Sequence, residues 1–134
     1  MSADEFQLLA NFREGFDLRS NQVLTLDKPS TNVDESKPWC RFSIQPGDKG
    51  RTENGGNPTY LQLGGIFLQV FVPKKMGASA GNDLIEQFEN LFTDWTSSDG
   101  ALVVKRMTRR LEERPDMYVH VIRFAYESLR KRAA

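Results

Sequence analysis

Two stretches of the chain alternate apolar and polar side chains with the period of two that is typical of a β-strand. In residues 39–45, Cys40, Phe42 and Ile44 fall on one face, and more polar residues lie between them. Residues 118–126 alternate in the same way. The pattern predicts one strand in each stretch, and the first strand has one face toward solvent.

Two other stretches carry apolar residues at helical spacing. Residues 3–14 follow a Ser and a Glu three residues apart, which is the spacing of a capping box. Asp83 and Glu86 repeat that spacing at the start of residues 82–92, whose apolar side chains form one stripe. Both stretches are predicted to be amphipathic helices, and we expect the second to pack on a sheet.

Residues 60–72 form an unusually long strand pattern, which would extend about 40 Å if straight. Gly64 and Gly65 in its middle predict a bulge or a sharp bend. Beyond the two glycines both faces are apolar, so we expect a central strand. The preceding residues 46–58 (PGDKGRTENGGNP) contain four Gly and no apolar side chain apart from proline, and they predict a long mobile hairpin loop without packed structure.

The remaining segments connect these elements. Residues 21–26 contain one short apolar stretch and lead into a polar connection that ends at residue 38. Residues 74–81 are predicted to be a crossing loop and residues 114–116 a turn. Residues 102–114 suit a strand or a helix, and we favour a strand over residues 101–109. The order predicts one α+β domain over residues 1–127, with a mainly antiparallel sheet packed by two helices, followed by a frayed basic tail, residues 128–134.

Composition excludes several classes of protein. The 134 residues carry 18 Lys and Arg against 18 Asp and Glu, and this zero net charge argues against a protein that mainly neutralises nucleic-acid phosphates. The longest apolar run, residues 63–72, is far shorter than the roughly 20 residues of a membrane-spanning helix. The acidic start lacks the pattern of a signal peptide, so we expect a cytoplasmic protein.

Residues suited to catalysis or metal binding are scarce. One Cys and one His do not supply the usual ligands of a zinc site, and Cys40 is interpreted as a buried apolar residue. His120 falls inside a strand pattern and is interpreted as structural. The acidic pairs at residues 34–35 and 112–113 lie in charged, exposed contexts, and the glycines lack a nucleotide-binding spacing. We predict no catalytic residues, no metal and no cofactor.

The loop at residues 46–58 is the feature that most needs a function. Its charges are Lys49, Arg51 and Glu53. Unstructured loops of this length are usually functional or disordered. A charged segment that extends from a rigid sheet suits an assembling subunit that reaches its neighbour, whereas a tolerated surface insertion is the alternative.

Several features of the sequence resemble the small tail-terminator-like proteins of phages and prophages. They are residues 39–47 (WCRFSIQPG) with the Gly-rich loop that follows, residues 63–73 (LGGIFLQVFVP), Gly77, the helix pattern of residues 84–92 and residues 119–126 (VHVIRFAY). The resemblance extends over residues 1–127 and implies a structural protein that caps a finished tail tube as a hexameric ring, ends tube polymerisation and prepares head joining.

The implied partners are other copies of the chain, the tail tube protein and a head-completion or connector protein, with no nucleic acid and no membrane. The implied location is the host cytoplasm during assembly and then the virion tail. We assign the subunit or tube interface to five charged residues: Lys49, Arg51, Glu53, Lys74 and Lys75. Two alternatives stay open, a monomeric phage or host adaptor with a single protein partner and an enzyme whose site is shared between subunits.

Overall fold

The chain folds as a sheet with two helices on one face, as seen in a computed structural model. The structure describes residues 2–25, 32–54 and 57–131, and it describes side chains in these ranges except at residues 48–59 and 131. Within these ranges the elements are listed in chain order: α1 (Ala3–Gly15), β1 (Gln22–Leu24), β2 (Trp39–Asn54), β3 (Asn57–Pro73), α2 (Asn82–Phe92), β4 (Leu102–Glu113) and β5 (Met117–Lys131). This confirms the predicted α+β class.

The sheet is mixed, with the order β1-β2-β3-β5-β4 among the described strands. β1 is parallel to β2 over Gln22–Leu24, and the other neighbours are antiparallel. β3 is central as predicted, since β2 flanks one side and β5 the other. β4 lies at the edge, where ladder hydrogen bonds to β5 satisfy its backbone and most of its side chains stay exposed. That position decides the ambiguous residues 102–114 in favour of a strand.

The main core lies between the two helices and one face of the sheet. Phe12 of α1 stacks on Phe42 of β2 with ring centroids 4.2 Å apart, and Phe88 of α2 packs against both Phe42 and Phe124. Fully buried side chains from every layer complete it; the largest are Tyr126, Phe12, Phe42, Phe88, Phe92, Phe124, Leu8, Ile66, Leu68, Ile85, Leu102 and Ile122. The predicted face of β2 and the apolar stripe of α2 therefore match the observed core, whereas α1 buries Leu8, Leu9 and Phe12 and leaves Phe6 66% exposed.

The two helix starts differ. Ser2 caps α1 as predicted, because its Oγ accepts the Glu5 N–H at 3.1 Å. At α2 the capping box predicted from Asp83 and Glu86 is wrong, since the N-cap residue is Gly81 and makes no side-chain cap bond. Two short 3₁₀ turns over residues 74–76 and 78–81 precede α2, so the chain already turns before the helix begins.

The predicted loop at residues 46–58 is instead the distal part of a β-hairpin. Its described residues pair along the ladder, from Lys49 opposite Gln62 to Asn54 opposite Asn57. The bulge predicted at Gly64 and Gly65 lies on the other strand, where the register shifts between Pro46 and Lys49. Ladder hydrogen bonds thus stabilise a segment that lacks apolar side chains, which composition alone did not indicate.

The predicted basic tail is also partly structured. Residues 128–131 continue β5 and pair with β3, from Ser128 opposite Gln62 to Lys131 opposite Thr59. Residues 132–134 lie outside the described residues. The separation of a tail from a domain that ends at residue 127 is therefore wrong for these four residues.

Candidate assembly surfaces

The distal hairpin, which we call the arm, comprises residues 47–63. The arm takes up about half of the two long strands, and the eight residues 47–54 of β2 extend roughly 26 Å at about 3.3 Å per residue. Gly47 and the following residue oppose Leu63 alone, which makes a β-bulge at the base of the arm. The Gln62 amide donates to the Gly47 and Leu63 carbonyl oxygens at 2.9 and 2.8 Å and so stabilises that bulge.

Three predicted interface residues lie in the arm. Lys49, Arg51 and Glu53 fall on β2, opposite Gln62, Tyr60 and Pro58. Their side chains lie outside the described atoms, so the structure gives them a register and nothing more.

The two other predicted interface residues, Lys74 and Lys75, lie just after β3. The Lys74 ammonium binds the Glu113 carboxylate, donates to the Arg114 carbonyl oxygen at 3.2 Å and lies 4.7 Å from the Tyr118 ring centroid. Lys74 therefore joins the end of β3 to the β4–β5 turn of its own chain. Lys75 is exposed. The structure does not bring these two residues together with the arm charges, since they follow the opposite end of β3.

The face of the sheet opposite the helices, which we call the open face, is covered by no element among the described residues. A small apolar cluster lies there, in which Trp39 stacks on Phe71 with centroids 3.9 Å apart and Val119 is fully buried beneath. Arg123 extends over Phe67, with its guanidinium carbon 5.7 Å from the ring centroid. The open face is thus both aromatic and cationic.

A shallow cleft of about 180 Å³ lies on the β4 side of the open face. Its lining combines aromatic, aliphatic and guanidinium groups: Phe67, Thr108, Arg109, Arg110, Val121 and Arg123. Arg110 also pairs with Glu112 at 3.0 Å, and Arg109 approaches Glu89 of α2 at 3.7 Å. A cationic cleft of this size suits an acidic side chain from another molecule.

A polar network that the sequence did not reveal joins β5 to α1. Asp4 is buried, with 7% of its surface exposed, and it accepts hydrogen bonds from the Ser128 hydroxyl and from Arg130 Nε at 2.7 Å. Arg130 Nη1 also donates to Asp99 at 2.8 Å. Hydrogen bonds from the Ser97 hydroxyl, the Ala101 N–H and Arg130 lower the pKa of Asp99. The sequence contained one sign of this network, an Asp in the first turn of a predicted helix. Its spacing did not indicate which residue the carboxylate would bind.

Cys40 and His120 are buried, and the acidic pair at residues 112–113 forms ion pairs. Burial raises the pKa of the Cys40 thiol to about 12, so a reactive thiolate is disfavoured. His120 is buried, with Nε2 2.8 Å from the Ala78 carbonyl oxygen, and its Nδ1 has no hydrogen-bond partner in the described part of the chain. Glu112 pairs with Arg110 and Arg114, and Glu113 with Lys74. Within residues 2–25, 32–54 and 57–131, no three His, Cys, Asp or Glu side chains group as metal ligands.

A second groove, of about 370 Å³, lies between α1 and the segment after α2. Phe6, which is 66% exposed, and the partly buried Trp95 line it beside polar residues of both elements. In the part of the chain that the structure describes, the helices are too short or too polar to span a membrane.

Comparison with known proteins supports the fold alone. No family model and no curated protein matches the chain. Among solved structures 16 chains match, and one of them, a protein without a functional name, superposes with a TM-score of 0.63 at 13% sequence identity. The match covers 99% of this chain and 99% of the other. The same α+β arrangement therefore recurs over the full length of a protein with little sequence similarity.

Proposed function

We propose that the protein is a tail terminator of a phage or prophage. In this role it assembles as a hexameric ring on a completed tail tube, ends tube polymerisation and prepares the tail for head joining. Its partners are further copies of itself, the tube protein and a head-completion protein. The proposal rests on the sequence resemblance over residues 39–47, 63–73 and 119–126.

The arm is the structural observation that carries the proposal. The ladder continues from the Pro46–Gly64 pair to the Asn54–Asn57 pair, past Ile44 and Ile66, the last core residues of β2 and β3 on this side. Beside it, Leu63 and Leu129 stay 40% and 52% exposed. Beyond the Thr59–Lys131 pair only β2 and β3 remain paired among the described strands. A two-stranded end of this kind gains little stability in a monomer, whereas contact with a neighbour would bury the exposed apolar residues beside it.

A head-to-tail ring gives a use to an arm that extends from only one end of the sheet. One heterologous contact, repeated by rotation, closes into a ring when the angle between copies allows it. An arm that leaves one copy and lies on the next supplies such a contact. In this arrangement Lys49, Arg51, Glu53 and Lys75 act at the subunit or tube interface.

The decisive experiment is deletion of the gene from the phage or prophage that carries it. We expect electron micrographs to show tails of uncontrolled length without heads, and a plasmid copy of the gene to restore normal tails. Tails of normal length with heads attached in the deletion strain would contradict the proposal.

A shortened arm tests the structural observation directly. In this variant, Asn-Gly replaces residues 53–58 and joins Thr52 to Thr59 through a two-residue hairpin turn, so that every pair between β3 and β5 is kept. We expect the variant to fold, to stay monomeric and to fail in complementation. Full complementation by the shortened chain would show that the arm is dispensable.

The groove beside α1 favours a second candidate function, a monomeric adaptor that binds one protein partner. An exposed Phe6 and the nearby Trp95 suit an apolar side chain of such a partner. Replacing Phe6 by Ser would abolish function in an adaptor of this kind, while a tail terminator would keep its activity. Complementation of the deletion strain by Phe6→Ser therefore separates the two functions.

A further inference from the structure

Charges are distributed unequally between the two faces of the molecule, although the net charge is zero. The open face carries Arg41, Arg110 and Arg123. Two acids lie on the same face: Glu112, which is shared between Arg110 and Arg114 at 3.0 and 3.2 Å, and Glu127 of β5, which is exposed. The centre of the open face therefore has an excess of positive charge.

Two of these arginines lie in one row across the strands. The ladder aligns Arg41 with Gln69, Gln69 with Val121 and Val121 with Arg110. Strands about 4.8 Å apart place the two ends of this row roughly 14 Å from each other. Arg41 and Arg110 are exposed, and Arg41 has no ion-pair partner in the described residues.

α2 carries the opposite charge on the other face of the molecule. Its sequence, NDLIEQFENLF, has three carboxylates and no Lys or Arg, and Asp94 follows shortly after it. One of the three, Glu89, lies 3.7 Å from Arg109 of β4 in the same chain. Leu84, Ile85, Phe88 and Phe92 are buried against the core, so Asp83 and Glu86 lie on the exposed side. Eleven helical residues extend about 16 Å, close to the width of the arginine row.

We propose that the open face of one copy binds the acidic outer side of α2 of the next copy. Arg41 and Arg110 would then pair with carboxylates at the two ends of the helix, and Arg123 would pair with one near its middle. The inference rests on the proposed ring and adds the surfaces by which its subunits meet. It requires a heterologous contact, because the two complementary surfaces lie on opposite faces of the same chain.

Charge exchange tests this interface. The first variant, Arg41→Glu with Arg110→Glu, changes the open face. The second, Asp83→Lys with Glu86→Lys, changes α2, and the third combines all four substitutions. A matched control, Arg19→Glu with Lys37→Glu, changes the net charge as much as the first variant does at exposed positions elsewhere.

Self-association is measured by sedimentation at low and high salt, together with complementation of the deletion strain and thermal unfolding. Each two-site variant should fold, associate at least about 100-fold more weakly and fail to complement, because like charges then face each other. The four-site variant should recover both activities, and the control should keep them. High salt should weaken association of the unchanged chain.

Three results would overturn the inference. They are full activity of a two-site variant, failure of a folded four-site variant to recover, or loss of activity only when the open face is changed. The last result would indicate an acidic tube protein or another partner on that face. The ring itself would stand in all three cases if deletion of the gene still gave overlong tails. If deletion of the gene has no effect on tails, the sedimentation experiment alone tests the interface between copies. An unchanged chain that stays monomeric at its highest soluble concentration in low salt would then contradict this interface.

Discussion

At the scale of single residues, Arg130 has the largest consequence for the fold. Its guanidinium binds Asp4 at the start of α1 and Asp99 before β4. It thereby connects the last described residues of β5 to two other segments of the chain. Asp4 is buried, so its carboxylate depends on this guanidinium and on the Ser128 hydroxyl. Removal of one partner from a buried pair leaves a charge without compensation.

We predict that Arg130→Ala lowers the free energy of unfolding by about 2 kcal/mol, because a buried carboxylate loses a charged hydrogen-bond donor. Arg19→Ala, which removes an exposed guanidinium, should change it by less than about 0.5 kcal/mol. Urea unfolding of both variants measures the difference. Equal losses would show that the network around Asp4 does not stabilise the fold.

The second prediction at this scale concerns pH. The pKa of Asp99 is lowered in the folded protein by hydrogen bonds from Ser97, Ala101 and Arg130. Its ionised form therefore stabilises the fold above the unfolded pKa of about 3.9, and this contribution is lost as the pH falls below that value.

Asp99→Asn should consequently be less stable than the unchanged chain at pH 7, and the difference in melting temperature should shrink as the pH falls below about 4. Asp116→Asn, in an exposed turn, is the matched control. A difference that stays constant between pH 7 and pH 3 would contradict a stabilising charge at Asp99.

At the scale of elements, the two adjacent glycines of β3 serve close packing on opposite faces. A Cβ at Gly64 would come within 2.4 Å of the Tyr126 ring, which is buried in the main core. A Cβ at Gly65 would meet the Arg123 side chain at 2.8 Å on the open face. The rigid ring has no space to move, whereas the guanidinium can swing toward solvent.

We therefore predict that Gly64→Ala costs roughly 1–3 kcal/mol of stability, the usual cost of overpacking, and that Gly65→Ala costs clearly less. Thermal unfolding of the two variants, which differ only in the face that receives the methyl group, measures this. Similar losses for both would indicate that the glycines act through the backbone and not through packing.

The second prediction for the elements concerns amide exchange in the hairpin. β3 has neighbours on both sides over residues 59–73, whereas β2 beyond Arg41 pairs with β3 alone among the described strands. Amides of residues 60–72 should therefore be protected without interruption, and those of residues 42–54 should alternate between slow and fast exchange. Uniformly fast exchange over residues 46–54 would instead support the mobile loop expected from composition.

At the scale of the whole molecule, substitutions of charges in the arm should change assembly without changing the stability of the fold. Lys49→Glu with Arg51→Glu changes two charges on an arm outside the core. The free energy of unfolding should change by no more than about 0.5 kcal/mol per substitution, while association could lose several kcal/mol if opposite charges lie across the interface. Thermal unfolding and complementation measure the two effects. Full complementation would leave the arm charges without a role in assembly.

Local sequence patterns were sufficient to predict the features that depend on residues close together in the chain. Both helices, the inward faces of β2 and β3 and the central place of β3 follow from periodicity, because burial of an apolar stripe requires a given period. Ser2 was found as a cap because the donor and the acceptor lie within one turn. The proposed function rests on sequence resemblance more than on any single residue.

Contacts between distant segments were decided only by the tertiary structure. Residues 46–58 became strands because each supplies the other with ladder partners, which composition does not reveal. Residues 128–131 continue β5 because they pair with β3, and Arg130 there meets an aspartate 126 positions earlier in the chain. The opposition between a cationic open face and an acidic α2 likewise depends on the side of the sheet to which the helices pack. The sequence by itself determined which segments alternate apolar and polar residues. Folding determined which charges meet, because ion pairs and ladder hydrogen bonds depend on distance in space.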